Sequence, residues 1–317
     1  FYLPDTFAPT DDAYPKILKN FQSFNLKICS ENKALSNKIS IPLYFDFLKL
    51  LISGACSFPS ASKLIFQAIK EKFNSKYCSR RSLMQPILSF DLYFKCLNKY
   101  QPDFSTFFSN HVAGIIHRYW RDIFPEDFID DSYRISDFKK DSVIKAMDIS
   151  DNHIFRLLKY CKKNNTELWI ASSMSQKARQ DVYLPWDIQL ENFSLLSKFF
   201  NLKHQNYSLL PAMQPDICIQ CKTYEDLYSL NNVISKIRDK EGNQIILERY
   251  KKDNSINISL RLTHILLSTE TLIIDKNEFK LKDLGLKLIN RDPGTAYHTP
   301  EGILIKYEKN NCKDFSN

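Results

Sequence analysis

Two of the six histidines of this chain lie in one segment, Asn110-His111-Val112-Ala113-Gly114-Ile115-Ile116-His117-Arg118-Tyr119-Trp120. Imidazole exchanges a proton near neutral pH and is the commonest nitrogen ligand of metal ions, so chemistry is sought here first. The segment follows an apolar run, Phe104-Ser105-Thr106-Phe107-Phe108, that reads as a short strand, and it opens like a helix. A strand running into a helix start is where open α/β sheets place ligands. On a regular helix Asn110, Gly114, His117 and Arg121 share one face. Gly114 would clear space beside His117, and Arg121 could offer a fork to an anion. His111 lies about 120° around from His117, so one helix does not aim both at one ion without distortion. Read alone, His117 is more simply a core histidine beside Tyr119 and Trp120.

A second candidate is His298, held between a Pro-Gly turn and Pro300, just before the strand-like Ile303–Tyr307. Rigid flanks of this kind aim a side chain without a long element; an ordinary loop histidine is the plainer reading. A third is Ser172-Ser173-Met174-Ser175-Gln176, at the end of the apolar run Leu168–Ala171. Hydroxyls at a strand's carboxyl end bind phosphate or, more commonly, cap a helix. No G-x-S-x-G elbow supports a hydrolase nucleophile at Ser173. His153, His204 and His264 have no such context and read as structural.

Several classes are excluded. The six glycines are too scattered for G-x-G-x-x-G or a P-loop, both of which need glycines so that backbone N–H groups can approach phosphate. The net charge of +8 comes from lysines and arginines spread along the chain, which is no strong nucleic-acid signal; an anionic small-molecule or phosphoester substrate is compatible with it. No run of 18 apolar residues exists, so no membrane span is expected. Eight irregularly spaced cysteines read as reduced thiols of a cytoplasmic protein. The one C-x-x-C, Cys218 to Cys221, lies on an alternating segment that would send its sulfurs to opposite faces. The chain opens on Phe1 with no signal-peptide pattern, and an upstream portion is expected.

The elements that would position these residues begin with a helical pattern from Tyr14 to about Lys99. Apolar faces recur at Ile17/Leu18/Phe21/Phe24, at Tyr44/Phe47/Leu48/Leu51 and at Leu64/Ile65/Ala68/Ile69, the last with Ser60 as a candidate cap, and a fourth helix spans Leu83–Leu97. Strand 104–108, helix 110–121, helix 142–162 and strand 167–172 imply parallel strands joined by a right-handed crossover. The expected fold class is α/β: a mostly parallel central sheet flanked by helices, with an N-terminal helical lobe and a small α+β subdomain. The expected domains are the helical lobe or cap over 1–102, the α/β core over 103–190 and 276–317, and the α+β subdomain over 191–275.

The order of these stations resembles the alkaline phosphatase superfamily, in particular its type I phosphodiesterase/nucleotide pyrophosphatase branch. The resemblance covers residues 103–122, 167–176 and 291–306: the His-Arg-Tyr-Trp helix, the strand ending in serines, and Tyr297-His298-Thr299-Pro300-Glu301-Gly302. The chain as a whole resembles uncharacterised bacterial members. The resemblance implies His111, His117 and His298 as ligands of a divalent metal such as zinc or manganese. It also implies Asn110, Arg121, Ser172 and Ser173 as substrate contacts. Where the family has Asp-His-Gly this chain has Ser172-Ser173-Met174, so two usual ligands are missing. The family's nucleophile would lie upstream of Phe1, and no catalytic residue is assigned. Two functions follow as expectations: a metal-dependent phosphoesterase or phosphodiesterase-like hydrolase, or a non-catalytic protein that binds a phosphorylated or polysaccharide-related ligand.

Overall fold

The computed structural model describes residues 1–4, 8, 10–30, 45–46, 48–50, 57–129, 133–180, 186–200, 202–210, 212, 216–260, 271–290 and 294–308. The chain divides into two compact units. The first takes residues 1–180 and 294–317, the second residues 181–293. The helices expected to form a separate lobe therefore belong to the same unit as the candidate site.

In the first unit the helices are α1 (Ile17–Ser30), α2 (Phe58–Phe73), α3 (Met84–Tyr100), α4 (His111–Ile123) and α5 (Asp137–Asn164). Helix α2 is capped three residues before the expected position: Ser57 accepts from the Ser60 backbone N–H, and Pro59 occupies the first turn, where no N–H is needed. Leu18, Phe21 and Phe24 of α1 pack with Leu64 of α2 and with Leu88 and Leu92 of α3. Ile115 and Tyr119 of α4 pack with Val143 and Ala146 of α5. Arg80, on the short 3-10 segment before α3, ties that group to α5. Its guanidinium donates to Ser142 Oγ (2.8 Å), the Phe138 carbonyl (2.9 Å) and Asp141 (2.9 Å). The apolar set at Tyr44, Phe47 and Leu51 lies outside the described residues.

The expected parallel sheet is absent; every strand pairing among the described residues is antiparallel. Residues 104–108 form no strand. Side-chain contacts hold the segment instead. Phe107 packs on Phe90 and Tyr93 at ring distances of 5.3 and 5.1 Å, Ser105 bonds Tyr93 at 2.8 Å, and Phe104 and Phe108 face solvent. An apolar run carries no information about whether a backbone partner exists, and here no strand pairs with it. Without that strand no crossover can form. Strand β1 (Leu168–Ser172) instead pairs with the late strand β12 (Ile303–Tyr307), and β2 (Ser175–Ala178) pairs with β11 (Ala296–Thr299). These two pairings form one interrupted ribbon. Ser173 and Met174 oppose Pro300, Glu301 and Gly302, so the register slips by a residue at a bulge. Proline suits such a position because it has no N–H to give a ladder.

The second unit contains β3 (Trp186–Leu190) paired with β10 (Leu286–Asn290), and a four-stranded sheet. That sheet runs β4 (Tyr207–Leu210), β5 (Ile217–Cys221), β7 (Ser255–Leu260), β6 (Ile246–Lys252). Strands β8 (Thr271–Ile274) and β9 (Asn277–Lys280) form a hairpin. Helices α6 (Phe193–Phe199) and α7 (Tyr224–Ile234) pack against Ile217, Ile219, Ile256 and Ile258. Both ends of the C-x-x-C lie on β5, with Cys221 buried in this core and Cys218 half-buried. Burial pushes the Cys221 thiol up to about 11. Only the thiolate reacts, so alkylation of Cys221 in the folded protein at about pH 8 is expected to run at least a hundredfold slower than for a free thiol. Peptide mass spectrometry after iodoacetamide treatment measures this; modification of Cys221 at the unfolded rate would contradict its burial.

Candidate functional site

The two distant histidines meet in the first unit. The rings of His117, on α4, and His298, on β11, stack with centroids 5.6 Å apart and planes 9° from parallel. Three local features bring them there. First, the segment before β11 lies along α4: the Thr295 N–H donates to the His117 carbonyl at 2.8 Å. Second, Gly294 leaves room for the imidazole, since a Cβ there would stand 2.8 Å from His117 Nε2. Third, Gln176, opposite His298 across the β2–β11 ladder, donates to the Ala113 carbonyl at 2.9 Å. Ala113 precedes His117 by one helical turn, so this bond fixes the ladder beside the ring.

Helix α4 is not regular to its end. Tyr119 has φ −121° and ψ 24°, which kinks it. Thr295 occupies the kink: its hydroxyl donates to the Arg118 carbonyl at 3.0 Å and accepts from the Arg121 N–H at 3.3 Å. Backbone groups released by a kink need such partners. The kink also breaks the shared face expected for His117 and Arg121. The Arg121 guanidinium lies over the rings of Phe128 (5.0 Å) and Tyr133 (4.6 Å). Asn110 is the exposed residue that starts the helix, its carbonyl accepting from Gly114 at 2.9 Å; it precedes His117 by about 10 Å along the axis. The Ser172 hydroxyl donates to the Met174 carbonyl at 2.7 Å at the ribbon's bulge, and Ser173 is exposed in the same bulge.

His111 is engaged elsewhere. It is buried, with Nδ1 2.7 Å from Ser109 Oγ and Nε2 3.0 Å from the Ala146 carbonyl on α5. A carbonyl only accepts, so Nε2 carries the proton and Nδ1 accepts from the serine. Burial lowers its proton affinity. With both nitrogens committed, His111 has no lone pair for a metal. His153, also buried, lies under Phe90 with ring centroids 3.9 Å apart. His264 lies outside the described residues.

Among the described residues no three His, Cys, Asp or Glu side chains gather as a metal site. Among the described residues the site therefore consists of two imidazoles with no carboxylate grouped beside them. A two-metal phosphoryl-transfer centre needs carboxylates to hold its ions, and this donor set does not fit one. Gln176, Gly294 and Thr295 lie inside the candidate stretches without carrying a signal of their own; the roles of all three depend on the docking of the ribbon against α4, which no local pattern encodes. No protein-family model, curated protein or solved structure matches the chain.

Proposed function

We propose that the chain binds a phosphorylated ligand at the His117–His298 pair and that the residues described here do not by themselves hydrolyse it. The observation that carries this reading is the stacking of these two imidazoles, from positions 181 residues apart, at 5.6 Å. The three stretches behind the resemblance to phosphate-handling enzymes converge here: α4, the β1–β2 strand and the β11–β12 strand pack together. An imidazole donates one N–H when neutral and two when protonated. A phosphate monoester dianion is the complementary guest, since its oxygens accept from imidazole N–H groups. The absence of a carboxylate cluster among the described residues favours binding over metal-assisted turnover.

Calorimetric titration with inorganic phosphate is the test. His298→Ala, an exposed position, is expected to weaken binding about tenfold or more, the usual worth of a hydrogen bond to a charged group. Gly294→Ala is expected to weaken binding as well, because its methyl would displace the His117 ring. Phosphate affinity indifferent to both variants would reject the site. Hydrolysis of a generic phosphodiester in zinc or manganese, lost in His298→Ala, would replace the binding reading with the enzymatic one.

A further inference from the structure

Helix α2 carries an apolar face that the described residues leave open. Phe58 is 87% exposed, Ile65 46%, Phe66 63%, Ile69 46% and Phe73 84%. At 100° per residue these five side chains fall within a stripe about 100° wide and about 22 Å long. The opposite side of α2 is the one that packs inward, through Ser60, Leu64 and Gln67. Isolated exposed apolar residues are ordinary, but five aligned on one helix, three of them phenylalanine, mark an interaction surface.

Charge selects the partner. Lys63 and Lys70 border the stripe on one side and Lys72 on the other, all exposed. The single carboxylate of α2, Glu71, is turned inward in an ion pair with Arg81, its side chain 7% exposed. An apolar stripe rimmed by lysines and free of exposed carboxylates matches a helix that lies in the plane of an anionic bilayer surface. A second copy is a poor occupant, because pairing two such stripes brings lysine rims together with no acid to offset them. No helix among the described residues is long and apolar enough to cross a membrane, and a surface helix needs no span.

We propose that α2 docks the protein on anionic lipid surfaces, with Phe58, Phe66 and Phe73 entering the interface and Lys63, Lys70 and Lys72 at headgroup level. This goes beyond the phosphate site and does not depend on it. The experiment is co-sedimentation of the full chain with phosphatidylcholine vesicles, with and without phosphatidylserine. Binding is expected only to the vesicles that contain phosphatidylserine, and it should weaken with added salt. Each Lys→Gln change at 63, 70 or 72 is expected to lower affinity by about fivefold. The triple variant Phe58→Ser/Phe66→Ser/Phe73→Ser should abolish binding with an unchanged far-UV circular dichroism spectrum, since these side chains contribute little to the core. Failure to bind, or equal binding to neutral vesicles, would overturn the proposal. So would a concentration-dependent dimer, seen by light scattering and dispersed by Phe66→Ser, which would give the stripe to a second copy.

Discussion

Lowering the pH from neutrality to about 5 is expected to destabilise the first unit by about 2 kcal/mol through His153 alone. His153 is buried against Phe90, with Phe107 edge-on to its ring. Burial is the largest cause of its depressed proton affinity; the nearby His111, Arg156 and Lys63 depress it further and Asp91 opposes them, leaving it at about 3 against an ordinary 6.5. Between those values the unfolded chain takes up a proton that the folded chain refuses. Stability from this group is therefore complete above about pH 6.5 and is lost progressively as pH falls toward 3. His111, whose affinity is lowered by the same burial, adds in the same direction. Asp91 does not counter this near pH 5, because Ser57 and Arg156 hold its carboxyl below the usual carboxylate range despite burial. Urea unfolding followed by far-UV circular dichroism reads the effect, since the longest helices belong to this unit. His153→Leu should flatten the pH profile between about 5 and 7; an equally steep profile in that variant would remove His153 as the cause.

The same residues show what can and cannot be read along a chain. The helices and the strands after 190 are written locally: Leu18, Phe21 and Phe24 recur at helical spacing, and Ile217, Ile219 and Cys221 alternate as a half-buried strand should. The partner of a strand is not local information. Leu168–Ala171 is a continuous apolar run, the pattern of a parallel strand covered on both faces, yet its neighbour is Ile303–Tyr307 in the antiparallel sense. Phe104–Phe108 fails for a related reason, because a short apolar run leaves open whether a backbone ladder or side chains alone cover it.

The candidate site divides in the same way. Helical spacing and a rigid turn single out His117 and His298 as residue types, while their meeting depends on Thr295 and Gln176 docking the ribbon against α4. Two further expectations, Arg121 from regular helix geometry and His111 from the family resemblance, met specific obstacles. The kink at Tyr119 took Arg121 off the shared face. The Ser109 hydroxyl and the Ala146 carbonyl claimed both nitrogens of His111. The reach of α5 to the α4 histidine is a tertiary fact that its own sequence does not announce.

In the second unit, Gly285→Ala is expected to cost about 3 kcal/mol or more, combining left-handed backbone strain with overpacking. Gly285 follows a 3-10 turn with φ +69°, and its N–H closes that turn on the Lys282 carbonyl at 3.1 Å. Its carbonyl accepts from the backbone N–H groups of Glu191 and Asn192 at 2.8 and 2.9 Å, which draws the two strands close. A methyl at Gly285 would stand 2.1 Å from the Asn192 carbonyl oxygen, a backbone atom that cannot swing aside. Asn192 is itself fixed, because its side chain caps α6 by accepting from the Ser194 N–H at 3.0 Å. Relieving the clash therefore loosens the cap, the β3–β10 pair and the Leu284/Leu286 contribution to the core together. Gly242 supplies the control. It shares a positive φ of +86° but has open space around a built Cβ, so Gly242→Ala should cost only the backbone term, about 1 kcal/mol. Urea midpoints of the two variants separate strain from collision: equal losses would mean that the approach of Gly285 to Asn192 contributes nothing to the stability of this unit.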